Sequence, residues 1–193
     1  EHLTIESRGG NDRISVTNPT VSGGIILDGG AEDDQFEVTY PITSNALNVL
    51  GGTGSQNELT VTTSQDADIL TMEQTQISVF NNTSTIHSSI ARANVSTLGG
   101  EDNITIFGTI LGETYFALGN DADQIEISGT HGPVTVETGD GADRVHVTAT
   151  TARLLVDLGQ GEDQLNVGYA MDGSHNRLDN ILGLVSVNGS EDF

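Results

Sequence analysis

The sequence predicts an all-β solenoid: a parallel β-helix or β-roll-like stack with coils of 20–23 residues and one Asp loop per coil. Three observations carry that expectation. The first is a repeat: Leu118-Gly-Asn-Asp-Ala-Asp-Gln-Ile-Glu-Ile127 returns twenty residues on as Thr138-Gly-Asp-Gly-Ala-Asp-Arg-Val-His-Val147, and again as Leu158-Gly-Gln-Gly-Glu-Asp-Gln-Leu-Asn-Val167. The second is a column of apolar residues just after each loop. The third is a composition rich in Gly, Thr and Val, with 3 Pro, no Cys, and no Ala/Leu runs that would favour helix.

In chain order, Leu3-Thr-Ile5 is a short strand before the loop Gly9-Gly-Asn-Asp12, and Ile14-Ser-Val16 follows it. The second coil reads Ile25-Ile-Leu27, a loop ending at Asp34, then Phe36-Glu-Val38. The third reads Leu47-Asn-Val-Leu50, Gly51-Gly-Thr-Gly54, Asn57 in the Asp position, then Leu59-Thr-Val61. Residues 62–98 are irregular: three strand-like runs occur with no Gly-x-Gly-x-Asp loop between them, and the polar turn Asn81–Thr85 stands in its place. The pattern resumes at Val95 with Asp102 and continues through Asp123, Asp143 and Asp163. An insertion fills 168–183 before Leu184-Val-Ser-Val187 leads to Asp192. Spacings of 20–23 dominate, and 57 to 102 reads as two coils. The whole of 1–193 reads as a single solenoid segment. It stops where the repeat would continue, so a longer array is expected.

One coil cannot bury its own apolar face, but stacked coils can. Corresponding strands then pair in parallel, about 4.8 Å apart. The inward columns are Ile14, Phe36, Leu59, Ile104, Ile125, Val145, Leu165 and, two residues on, Val16, Val38, Val61, Ile106, Ile127, Val147, Val167. Between them Ser15, Glu37, Thr60, Thr105, Glu126, His146 and Asn166 form an outward polar row. An antiparallel sandwich gives no reason for the same loop to recur every second strand.

Charge sets the chemistry. The chain carries 28 acidic residues against 6 Arg and no Lys, for a net charge of −22. Such a surface repels nucleic acid and anionic membranes and attracts cations; no apolar run approaches the roughly 20 residues of a membrane span. Stacked loops stack their Asp side chains, and two bare carboxylates about 5 Å apart repel by about 1 kcal/mol in water and a few kcal/mol at an effective dielectric near 20. A divalent cation shared between coils would remove that cost. Ca2+ suits an all-oxygen site of irregular geometry, whereas zinc or copper would ask for Cys or clustered His. The candidate ligands are Asp12, Asp34, Asn57, Asp102, Asp121, Asp123, Asp140, Asp143 and Asp163. The competing reading is that each Asp caps its own turn.

The loops Gly139–Val145 and Gly159–Leu165 resemble the glycine- and aspartate-rich calcium repeats of RTX proteins. The match is partial at Gly119–Asp123, Gly29–Asp34, Gly51–Asn57, Gly99–Asp102 and Gly9–Asp12, and the period is about 20 rather than nine residues. With one loop per coil, calcium is expected along one edge only. The resemblance implies secretion and folding on calcium at an extracellular or cell-surface location.

The expected function is therefore a non-enzymatic, calcium-stabilised structural or adhesive segment. It would meet flanking repeats or neighbouring copies end to end, with a cell-surface glycan as a further candidate partner. The alternative is a carbohydrate-active right-handed β-helix enzyme. Asp121/Asp123 and Asp140/Asp143 are carboxylate pairs, but the repeat accounts for them as loop residues, and the five His have no matching nucleophile motif. The insertion with Tyr169, Asp172, His175 and Arg177 is the one decorated loop. Candidate glycosylation sequons sit at Asn81, Asn82, Asn94, Asn103 and Asn188.

Overall fold

The structure, a computed structural model, describes residues 2–41, 46–79, 83–168 and 178–189, with no side-chain description at 83, 84 and 86. It is a β-solenoid of about seven turns with a period near 22 residues and no helix among the described residues. Asn81, Asn82, Tyr169, Asp172, His175, Arg177 and Asp192 lie outside the described residues.

Six strands open the chain: β1 (Leu3–Glu6), β2 (Arg13–Thr17), β3 (Gly24–Asp28), β4 (Gln35–Thr39), β5 (Ala46–Leu50) and β6 (Glu58–Thr62). Then come β7 (Ile69–Glu73), β8 (Gln76–Val79) and β9 (Thr83–Ser88), all in one sheet. Alternation between sheets returns with β10 (Arg92–Ser96), β11 (Asn103–Ile106), β12 (Glu113–Ala117), β13 (Gln124–Ile127) and β14 (Val134–Glu137), and ends with β15 (Arg144–Val147), β16 (Leu154–Asp157), β17 (Gln164–Val167) and β18 (Val185–Asn188). A ten-stranded sheet runs β1-β3-β5-β9-β8-β7-β11-β13-β15-β17, and an eight-stranded sheet runs β18-β16-β14-β12-β10-β6-β4-β2.

The strands form because apolar and polar residues alternate with a period of two, the period at which a pleated chain presents its two faces. In β4, Phe36 and Val38 are buried while Gln35 and Glu37 face outward. Parallel in-register pairing turns this alternation into ladders: Leu70, Ile104, Ile125, Val145 and Leu165 are successive partners in one sheet, and Ile14, Phe36, Leu59 and Ala93 in the other. Each fully buried aliphatic side chain contributes about 1.5–3 kcal/mol, so the stack is held by rows rather than by a central cluster.

The two expected inward columns are inward, but they do not lie on one sheet. Ile14, Phe36 and Leu59 belong to the eight-stranded sheet, and Ile104, Ile125, Val145 and Leu165 to the ten-stranded one. The cause is in residues 62–98. After β6 the chain enters the ten-stranded sheet at β7, doubles back through β8, which pairs antiparallel with both β7 and β9, and only then pairs β9 parallel with β5. The antiparallel strand was not expected from the sequence. Two polar residues, Thr85 and His87, take the inward positions of β9, and Thr85 shares a hydrogen bond of 2.8 Å with the buried Tyr40 hydroxyl.

Candidate functional site

In the N-terminal half, each Asp loop carries the chain from the ten-stranded to the eight-stranded sheet; from β10 onward the same loop runs from the eight-stranded to the ten-stranded sheet. The parallel strands of a sheet point one way, so these two kinds of connection lie at opposite ends of the strands. The Asp row is therefore two rows on opposite edges, which corrects the expectation of a single edge. Asp12, Asp34 and Asn57 form the first. The second begins with Asp68, which the sequence reading did not select, and continues through Asp102, Asp123, Asp143 and Asp163.

Both rows use one hydrogen-bonding rule. The Oδ1 of each row residue accepts the backbone N–H of its counterpart one coil earlier: Asp34 from Asp12 at 3.0 Å, Asn57 from Asp34 at 2.7 Å, Asp102 from Asp68, Asp123 from Asp102 and Asp143 from Asp123 at 2.8 Å, and Asp163 from Asp143 at 3.0 Å. The Asp carbonyl then accepts the N–H of the residue that follows the next row member, as Gln124 donates to Asp102 at 2.9 Å and Arg144 to Asp123 at 2.8 Å. Each pair of loops is thus joined twice. A loop amide left buried without an acceptor would cost about 1–3 kcal/mol, which is a reason for Asp here that needs no metal.

The first loop glycine admits this close stacking. Gly139 has φ of +101°, and a Cβ there would lie 1.8 Å from the Gly119 carbonyl oxygen; no other residue fits. Asn57 closes the first row by a different chemistry. Its Nδ2 donates to the carbonyls of Gly51 at 2.7 Å, Ser89 at 3.1 Å and Gly54 at 3.2 Å, where a carboxylate would meet only acceptors. Asp68 opens the second row, with its Oδ2 accepting from the Thr63 hydroxyl and, at 3.1 Å, from the Ser64 amide.

The second carboxylate oxygen is less well served. Oδ2 of Asp12, Asp34, Asp102, Asp123 and Asp143 is buried without a hydrogen-bond partner. Thr97 and Thr138 lie beside Asp102 and Asp143 and favour their charged forms, yet each donates its proton to a carbonyl, of Leu118 at 2.9 Å and Leu158 at 2.8 Å. Burial dominates: it pushes Asp123 up to about 7, with the Asp102, Asp143 and Asp121 carboxylates adding to the rise. Asp102 is pushed up to about 6 by burial, partly offset by Thr97 and the Asp68 amide. Asp143 is raised for the same first reason.

Two expected ligands do not belong to either row. Asp121 and Asp140 are exposed; Asp121 holds a left-handed turn (φ +80°) and accepts the Gly100 amide at 3.3 Å, while Asp140 forms a bridge between neighbouring loops. Among the described residues no three His, Asp or Glu side chains gather into a metal-holding group. Each orphaned Oδ2 is nevertheless a carboxylate oxygen, the donor type that calcium takes, supplied once per coil along the row. On donor chemistry, Asp12 and Asp34 on one edge and Asp102, Asp123 and Asp143 on the other are the residues that could hold a calcium ion.

Of the sequons, Asn94 faces outward on β10 with its amide on Glu58, and Asn103 and Asn188 are exposed on β11 and β18. Asp68 did carry a signal: Asp66-Ala-Asp68 repeats Asp121-Ala-Asp123 letter for letter, but without the preceding Gly. No protein-family model, curated protein or solved structure matches the chain, and its functional reading rests on the two rows and the surfaces around them.

Proposed function

We propose that the chain is a non-enzymatic structural solenoid segment of a secreted or cell-surface protein, whose coils are clamped by Asp rows that calcium completes. The observation that carries this is the row of buried Oδ2 atoms without partners, which recurs on both edges. Calcium bound there would supply the positive charge that a chain with no Lys lacks along its loops. The extracellular placement follows from that reading and from the RTX resemblance. End-to-end contact with flanking repeats or copies would use the edge strands β1, β2, β17 and β18.

Thermal melts of the chain in millimolar calcium and in chelator, each at pH 5 and pH 8, test the reading. Calcium completion raises the melting temperature at pH 8 and little at pH 5, where protons compete for the same oxygens. A melt at pH 8 that ignores calcium overturns the metal and leaves the amide clamp as the whole role of Asp.

A further inference from the structure

The outward face of the eight-stranded sheet carries a slot that neither Asp row explains. Its floor is Pro133, just before β14, and Thr135 on it; Glu113 and Tyr115 of β12, with Arg92 and Asn94 of β10 behind them, stand on one side and Arg153, just before β16, on the other, while the outward Glu137 of β14 does not line it. The depression between them holds about 270 Å3. Two strand spacings, about 9–10 Å, separate the backbones of its two walls. A second groove of about 370 Å3 shares Arg92 and Glu113 with the first and runs on past Gln56, Ala91 and Gly112, so the concavity is elongated.

Its chemistry is mixed. Arg92 pairs with Glu113 at 3.1 Å, and the Tyr115 hydroxyl donates to Glu137 on the next coil. Burial, reinforced by the Glu137 and Asp157 carboxylates, pushes the Tyr115 hydroxyl up to about 12, and the bond to Glu137 ties down the hydroxyl end of the ring. Two Arg therefore lie among the carboxylates of Glu58, Glu113, Glu137 and Asp157, on a chain with 6 Arg and a net charge of −22. Pro133 is the one aliphatic side chain lining the slot, too little apolar surface for a lipid chain. The guanidinium groups offer donors, the carboxylates acceptors, and Thr135 both. An aromatic ring beside such groups suits a ligand with C–H faces and hydroxyl edges.

We infer that this slot binds an uncharged oligosaccharide, its ring faces against Tyr115 and its hydroxyls on Arg153, Glu113 and Thr135. The inference does not rest on the calcium reading, since the slot shares no residue with either Asp row. A polyuronate would meet Glu58, Glu113, Glu137, Asp157 and the field of the whole chain, and a cationic sugar would meet Arg92 and Arg153, which leaves the uncharged class.

Saturation-transfer NMR and calorimetry of the full chain with uncharged gluco-, manno- and xylo-oligosaccharides of six units, against a hexameric galacturonate, test it. The expected result is a Kd between about 10 μM and 1 mM for at least one uncharged probe, weakened about tenfold by Tyr115→Ala and by Arg153→Ala. Glu126→Ala, on the outer face of the other sheet, leaves that Kd unchanged. Tyr115→Phe keeps the ring and reports binding if the Ala variant melts early. No transfer from any uncharged probe, binding of the galacturonate alone, or a Kd indifferent to both Tyr115→Ala and Arg153→Ala overturns the proposal.

Discussion

The two halves of the solenoid place the same loop on opposite edges, and they end their Asp rows differently. The N-terminal row is short and closes on Asn57, whose amide satisfies three carbonyls. The C-terminal row is longer, opens on Asp68 with its Oδ2 capped by Thr63 and Ser64, and runs to a half-buried Asp163. Inside each row the carboxylate reaches the preceding loop by the same bond. What repeats is thus the contact between successive loops, and the sheet that receives the following strand is free to change. The row ends, by contrast, depend on what stands beyond them: carbonyls at Asn57, a hydroxyl and an amide at Asp68.

Substitutions can break this comparison, the largest effect first. Asn57→Asp would set a carboxylate against the carbonyls of Gly51, Gly54 and Ser89 in a fully buried site; a loss of about 3 kcal/mol or more is expected from chemical denaturation. The reciprocal test is Asp123→Ala, which removes the acceptor of the Asp102 amide and should cost about 2–3 kcal/mol. Asp34→Ala should cost a similar amount if the two edges obey one rule, and a much smaller loss there would separate them.

Charge gives the next, smaller effect. Asp102 and Asp123 sit near 6 and 7 in the folded chain against an ordinary 3.8, and Asp143 is also raised. The folded state therefore binds more protons than the unfolded one between about pH 4 and 7, and in chelator stability falls as pH rises through that window. The melting temperature should be higher at pH 5 than at pH 8, the reverse of an ion-paired carboxylate. Asp123→Asn keeps the Oδ1 acceptor and removes one charge, so it should flatten this dependence; an unchanged pH profile would show that Asp123 does not titrate in the window. The smallest effect belongs to the exposed pair Arg13–Glu37. Its double-mutant coupling should not exceed about 0.5 kcal/mol and should vanish in salt.

The solenoid was legible because its signal is periodic: a Val or Ile three residues past the strand start recurs from Val16 to Val167, as inward positions of stacked parallel strands do, although the column passes from one sheet to the other. The edge change was not legible, for an arithmetical reason with a physical origin. Asp68 follows Asn57 by 11 residues, half a coil, and Asp102 follows Asp68 by 34 because the hairpin β7–β8–β9 intervenes. The resulting distance of 45 from Asn57 to Asp102 imitates two whole coils. A half-step shift and an inserted hairpin cancel in sequence but not in space. The slot over β14 was hidden for another reason: it depends on small Pro133 and Thr135 lying between larger neighbours from other coils, a relation fixed by register and absent from any single repeat.

The Asp clamp has a direction. Each carboxylate reaches back to the amide of the coil before it, from Asp34 to Asp12 and from Asp163 to Asp143. Within a row the side-chain half of the latch is supplied by the successor, while the predecessor's Asp carbonyl holds the successor's amide in return, as Asp102 holds Gln124. The last coil of such a row therefore depends on a coil after it for the side-chain half, and the two ends of the stack are not equivalent.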